Sequence, residues 1–246
     1  MGLSALIIAR NEEEKVENTL KSIRFCDEIV VVLDRSSDST KKICKKYTKK
    51  VFSGSWVCEG KRRNFGIKKC SQSWVFEIDA DEVVSSELSE EILNKINSNN
   101  FDYFFIPMIN YIGKKSVRYG WMACLAPDGK FCLFKKKSKK WLSGLVHPSY
   151  QLIGNKGPKL EGHLIHNMSS NISHLLKRFD RNTTLRSKEL KKNDNIKKFF
   201  SIRKIFSRFF KSFFSRKGYK EGKLGLLICL LNGIYPYVSA LKSQKD

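Results

Sequence analysis

Trp74-Val75-Phe76-Glu77-Ile78-Asp79-Ala80-Asp81-Glu82 is the stretch on which the reading of this chain turns. Its first half is apolar enough for a strand inside a sheet, and it runs directly into three carboxylates. Burying unpaired charge is costly, so a cation or solvent must answer carboxylates that leave the end of such a strand.

Working back from that strand, the first hundred residues alternate. Leu3–Ala9 is a continuous apolar run, as expected of a strand covered on both faces. Asn11 is placed to cap a helix over Glu12–Arg24, whose acids fall in the first turn where the helix dipole favours them. Glu28–Asp34 reads as a second buried strand, and Ser36-Ser37-Asp38 as a turn and cap before a helix reaching about Tyr47. Lys50–Phe52 is a third strand and Gly60–Cys70 a third helix, with Ser73–Asp79 the fourth strand and a helix near Ser85–Asn97 behind it. This order implies an α/β, Rossmann-like, mostly parallel sheet with helices on both faces. Ligands in such sheets gather beyond the carboxyl ends of the strands, where Arg10-Asn11-Glu12, Asp34–Asp38 and Asp79–Glu82 would meet.

Working forward, the rhythm changes. Asp102–Tyr111 and Lys130–Lys136 read as strands, and four histidines (147, 163, 166 and 174) follow at spacings that match no zinc motif. Residues 1–100 hold 17 Lys/Arg against 16 Asp/Glu, whereas the remaining 146 hold 30 against 8, so nearly all of the net +23 lies in the second half. A basic half suggests an anionic partner. Lys191–Lys223 carries 12 Lys/Arg, two acids and seven phenylalanines. As a helix it would put Phe199, Ile202, Ile205, Phe206, Phe209, Phe210 and Phe213 on one arc, with Lys197, Lys204, Arg208 and Lys211 opposite. That is a basic amphipathic helix of the kind that lies on an anionic membrane. Leu224–Leu241 has no charge but is interrupted by Asn232, Gly233 and Pro236, so shallow insertion is favoured over spanning.

Seven scattered cysteines without a CxxC pair suggest reduced thiols in a cytosolic setting. The apolar run at the N-terminus is too short for a secretory signal, and Leu6 stands where myristoylation needs Ser or Thr.

Mg²⁺ and Mn²⁺ favour one or two carboxylates, with water and phosphate oxygens completing the shell. A metal at Asp79/Asp81 could therefore bridge a nucleotide-sugar diphosphate. Leu3–Glu13, Glu28–Thr40, Lys61-Arg62-Arg63-Asn64-Phe65 and Trp74–Glu82 resemble the family 2 glycosyltransferases with the GT-A fold. The bacterial lipopolysaccharide-core glucosyltransferase branch is the nearest likeness. Gly120-Trp121, Pro127-Asp128, Leu133-Phe134, Val146-His147 and His166 follow in that branch's order. The resemblance implies Asp81 as principal metal ligand and Asp79 toward the ribose or the metal. It implies Ala9, Arg10, Glu12 and Asp34 or Asp38 at the nucleoside, and Arg63 and Asn64 along the donor. Trp121 and His147 would contact the acceptor. Cys132 stands where the branch has Arg, and Pro148 replaces an acid after the Val-His pair. Asp128 is then the candidate general base, with a plain turn at Asp128-Gly129 as the alternative.

The expectation is thus an inverting, metal-dependent transfer of a hexose from a nucleoside-diphosphate sugar to a lipopolysaccharide-core or other lipid-linked acceptor. Residues 1–100 would bind the nucleotide sugar and 101–190 the acceptor. Residues 191–246 would form the amphipathic extension, holding the enzyme peripherally at the cytoplasmic face of the inner membrane. Two other readings stay open: a basic nucleic-acid-binding protein, against which the absence of RNP1, KH and zinc-finger patterns counts, and a nucleotidyltransferase, which would ordinarily carry a Gly-rich loop where Arg10-Asn11-Glu12 stands.

Overall fold

A computed structural model of the chain describes residues 1–97, 100–143, 148–191 and 199–244. They gather into two compact units. One comprises Met1–Met108, Gly129–Gly144 and Pro148–His166, and the other chiefly Ile109–Asp128 and Asn167–Asp246. The three consecutive segments expected from the sequence are therefore partitioned differently, and 101–190 is shared between the two units.

The first unit is built on four parallel strands, β1 (Leu3–Ala9), β2 (Glu28–Asp34), β3 (Val51–Gly54) and β4 (Trp74–Asp79). They alternate with helices α1 (Val16–Ser22), α2 (Thr40–Cys44) and α3 (Glu59–Lys69), as the apolar runs predict. After β4 come β5 (Glu82–Val84), α4 (Ser86–Ile96), β6 (Tyr103–Ile112), β7 (Lys115–Val117) and β8 (Gly129–Lys135). Then follow β9 (Lys139–Trp141), β10 (Tyr150–Leu152) and β11 (Leu164–Ser169). The strand order is β3-β2-β1-β4-β8-β6-β11-β5, with β7 on β6 off that path and β9 and β10 paired separately. Because successive side chains of a strand point to opposite faces, β1 feeds two cores. Leu3, Ala5, Ile7 and Ala9 join Val16 and Leu20 of α1 and Leu88, Ile92 and Ile96 of α4. Leu6 and Ile8 join Val30, Val32 and Ile67 on the other side.

Two helix boundaries differ from the sequence expectation. Asn11 does not cap α1: it sits at φ 53, and its side-chain oxygen accepts from Ser37 N at 2.9 Å. The segment behind it closes as a turn, with Lys15 N and Val16 N both donating to Glu12 O, and α1 starts only at Val16. Helix α2 likewise ends at Cys44, short of Tyr47.

In the second unit β7 pairs back on the end of β6, α5 (Ile172–Leu190) and α7 (Gly222–Gln244) contribute to the core, and α6 (Ile202–Phe210) lies against α7. Helix α5 was not foreseen. Its N-cap is Asn171, whose side chain accepts from His174 N at 2.8 Å. The expected amphipathic helix is α6, which passes into a wide turn at Lys211–Ser215. Helix α7 runs through all three anticipated interruptions. Asn232 is buried and donates to Gly120 O at 2.9 Å and to Ser212 Oγ at 3.0 Å. At Gly233 a Cβ would lie 3.0 Å from Ile205 O, so the missing side chain lets α6 approach. By length and composition α7 could cross a membrane, yet half of its most apolar stretch is buried within the fold against α5 and α6.

Glu28 ties three parts of the first unit together, accepting from Ser4 Oγ, Lys50 Nζ, and Ser71 N and Oγ. Burial alone would raise its pKa, but these donors outweigh burial and hold it at about 2. The depressed pKa means its stabilisation is complete above the ordinary carboxylate value of 4.5 and is lost as the pH falls toward about 2. Glu28→Gln should cost about 2 kcal/mol at neutral pH, as expected for charge-assisted hydrogen bonds. In denaturant titrations across that acid window, the variant's stability should fall less steeply than that of the parent.

Candidate active site at the end of strand β4

Parallel register brings the expected loops together. Ile8 lies beside Asp79 and Ala9 beside Leu33, so the residues leaving β1, β2 and β4 share one edge of the sheet. There the loop after β1 is laced to the loop after β2. Asn11 N donates to Ser36 Oγ (3.2 Å), Glu12 N to Thr40 Oγ1 (2.8 Å) and Glu13 N to Asp38 Oδ2 (3.2 Å). Asp38 is thus a loop-closing acceptor, and Arg10 is exposed beside Ala9, which is buried. Asp34, also buried, receives Arg62 Nη1 at 2.7 Å, Arg35 Nε and Nη2 at 3.0 Å, and Trp56 N at 3.2 Å. Burial raises its pKa, and these donors more than reverse the effect. Arg35 takes φ 53, a conformation costly for a residue with a Cβ, so the loop holds backbone strain at this rim.

The acidic turn is held from three sides. Thr19 Oγ1 of α1 lies 2.9 Å from Ala80 O and 2.7 Å from Glu82 O. Glu82 Oε2 accepts from Asp79 N at 2.9 Å. Lys130 of β8 reaches Glu82 Oε2 at 2.6 Å, Glu82 Oε1 at 2.7 Å and Asp79 Oδ2 at 3.1 Å. On the other flank Arg63 bridges Glu59 and Glu77, both at 2.8 Å, and Asp79 Oδ1 at 3.2 Å. Glu77 also receives Lys139 Nζ at 2.9 Å and Trp141 Nε1 at 3.2 Å. Asn64 exchanges two hydrogen bonds with the Trp141 backbone, at 2.8 and 3.0 Å, fixing α3 to β9.

These contacts revise the expectation that a bound cation or solvent must answer the carboxylates at the end of β4. The protein's own Lys130 and Arg63 answer Asp79. Burial would raise that carboxyl's pKa, and the two cations drive it well below the usual range. Glu82 moves up, because it is buried and shares Lys130 with the charge of Asp79. Asp81 faces a different partner: its Oδ2 lies 3.4 Å from His166 Nε2. That histidine comes from β11, whose register sets His166 opposite Glu82. One carboxylate and one imidazole suit a divalent ion whose remaining ligands are phosphate and water oxygens. Among the described residues no group of three His, Cys, Asp or Glu side chains could hold a metal unaided. The donor set therefore fits a metal shared with a phosphorylated substrate.

Trp121 is not at such a surface. It is 2% exposed, donates from Nε1 to Val117 O at 2.8 Å, and packs with Leu125, Leu175, Ile228 and Tyr235 in the core of the second unit. Its role is corrected from acceptor contact to core residue. Asp128 belongs to that unit as well, with its carboxylate exposed and 2.9 Å from Arg216 Nη1. His147 lies outside the described residues. Sequence reasoning missed Lys130 and Lys139, and quoted Glu77, Glu82 and His166 without an individual role. The signal for Lys130 was its place two residues before Cys132, on the same face of β8.

The family model "Glycosyl transferase family 2" matches residues 4–154. An uncharacterized glycosyltransferase of Rickettsia typhi is 29% identical over 239 residues, covering 89% of this chain and 79% of its own. The lipopolysaccharide core biosynthesis glycosyltransferase LpsC of Rhizobium meliloti is 23% identical over 256 residues, 98% of this chain and 91% of that one. The crystal structure of S. aureus TarS 1-349 in complex with UDP-GlcNAc shares the fold, with a TM-score of 0.51 at 14% identity over 99% of this chain and 91% of that one.

Removing Lys130 leaves the buried Glu82 and the half-buried Asp79 without their shared cation. Lys130→Met should destabilise the protein by about 3–5 kcal/mol, the cost of breaking a buried pair. Chemical unfolding of the pure protein measures this, and a loss under about 1 kcal/mol would mean that solvent already screens the pair.

Proposed function

As this chain belongs to glycosyl transferase family 2 and is a glycosyltransferase of the GT-A fold, we propose that it moves a hexose from a nucleoside-diphosphate sugar to a lipid-linked glycan. The acceptor we favour is a lipopolysaccharide core, and we propose inversion at the anomeric carbon. The family assignment sets aside nucleic-acid binding and nucleotidyl transfer as accounts of the acidic turn. The observation that carries the reading is the Asp81–His166 pair at the edge where the loops after β1, β2 and β4 converge. The relative LpsC, a core-biosynthesis glycosyltransferase along nearly its whole length, supports the choice of acceptor.

On this reading the loops holding Arg10, Glu12, Asp34 and Asp38 seat the nucleoside. Arg62 Nε, buried without a hydrogen-bond partner beside Asp34, is a spare donor for it. Asp81 and His166 would hold Mg²⁺ or Mn²⁺, which offsets negative charge on the departing diphosphate. Arg63 and Lys130 fix Asp79 so that the turn keeps its shape as charge moves. The acceptor hydroxyl oxygen forms the new bond to the anomeric carbon as the carbon–phosphate-oxygen bond breaks. Its proton passes to a carboxylate base, and the electron pair leaves with the nucleoside diphosphate. Asp128 is our candidate for that base on the sequence alone.

Transfer of radiolabelled sugar to bacterial membrane lipids checks the proposal. EDTA should abolish transfer and added Mn²⁺ or Mg²⁺ should restore it. Asp81→Asn should lower the rate by about 100-fold or more, in the range for lost transition-state charge stabilisation. Asp128→Asn should lower kcat by about 100-fold while leaving nucleotide-sugar binding intact. Full activity in EDTA would contradict the metal role, and an unchanged kcat in Asp128→Asn would remove that residue as base.

A further inference from the structure

We propose that the outward face of α6, with the turn that follows it, is a docking surface for an anionic lipid bilayer. The inference stands apart from the transfer reaction, because the surface can be assayed without any sugar.

Helix α6 has three faces. Ile205 and Phe209 turn toward Gly233 of α7. Ile202, Phe206 and Phe210 recur every fourth residue, spanning an arc of about 80° at 100° per residue, and they are 64%, 57% and 50% exposed. Phe214 extends the stripe at 58% exposure. The wide turn at Lys211–Ser215 preserves the spacing, so the Phe210 and Phe214 rings stack with centroids 5.9 Å apart and 16° between planes. The third face is basic, with Arg203, Lys204 and Lys211 exposed. Across residues 199–223 there are eight Lys/Arg and one acid, Glu221. Its carboxylate already accepts from Arg118 N at 2.8 Å and Tyr119 N at 3.1 Å.

A row of exposed large apolar side chains rimmed by exposed cations selects its partner by chemistry. Duplex nucleic acid offers phosphates but keeps its bases stacked inside, and a single strand, whose bases can stack on rings, offers no hydrocarbon to Ile202. A second copy of this chain would bring the same cations against these. A bilayer with anionic headgroups offers phosphate at the depth of the lysines and hydrocarbon just beneath it. Helix α7, half-buried in its own unit, does not compete for this role.

Flotation of the full chain with vesicles tests the proposal. One set is phosphatidylcholine alone, and the other contains about one third phosphatidylglycerol, the kind of anionic surface that attracts polybasic segments. The chain should float with the anionic vesicles and not the neutral ones, and added salt should weaken the binding. Phe206→Ser with Phe210→Ser should weaken it about tenfold or more. Both side chains are at least half exposed, so circular dichroism, melting temperature and nucleotide-sugar binding should stay unchanged. A tryptophan at Phe206→Trp should be quenched by brominated lipid more than the parent's tryptophans are. Equal flotation of parent and double variant would overturn the proposal, as would retention on nucleic acid but not on vesicles. A dimer that the double substitution dissociates, with no vesicle binding by the parent, would assign the face to a second copy instead.

Discussion

Lys130 between Asp79 and Glu82 is the contact on which the acidic turn depends. Two carboxylates three residues apart at the end of a buried strand would repel each other and resist desolvation. One ammonium within 3.1 Å of both, with Arg63 on the far oxygen of Asp79, turns that liability into a fixed point. Glu82 adds to it by accepting from Asp79 N, and Thr19 holds the intervening carbonyls to α1. The turn is therefore anchored through its two ends, and Asp81, between them, is left to face His166.

This division of labour separates two tasks that the D-x-D spacing superimposes. Asp79 is a structural anion whose charge the protein supplies partners for, and Asp81 is the one directed to a histidine. Such an arrangement keeps a carboxylate in place before a ligand arrives. Preorganised charge of this kind needs little rearrangement when a polyanionic substrate binds. The same logic recurs at Asp34, which accepts from Arg35, Arg62 and Trp56 N, so the rim of the loop after β2 is pinned as well.

Where the sequence was legible, one physical signal dominated its surroundings. The apolar runs in β1, β2 and β4 have no rival reading, and their parallel order follows from the helices between them. Lys130 and Lys139 could not be singled out in a chain with 47 Lys/Arg, because nothing in spacing distinguishes a buried cation from a solvated one, and Arg63 was placed by resemblance alone. Helix α5 was hidden by its polar composition. Helix α7 was read as interrupted because Asn232 and Gly233 disfavour an isolated helix, yet in the fold they supply a buried hydrogen bond and a close approach. Trp121 was placed by resemblance, which preserves position but does not say which way a ring points. Its burial in an apolar cluster decided the matter.

On the proposed reading Asp81, and not Asp79, couples the sheet edge to a metal-bound diphosphate. Calorimetric titration of uridine, cytidine, guanosine and thymidine diphosphates, with Mn²⁺ and then with EDTA, tests it most directly. One nucleotide should bind at least about tenfold more tightly with the metal, a difference of about 1.4 kcal/mol, and Asp81→Asn should erase that difference. Metal-independent nucleotide affinity, or a metal effect that survives in Asp81→Asn, would contradict it.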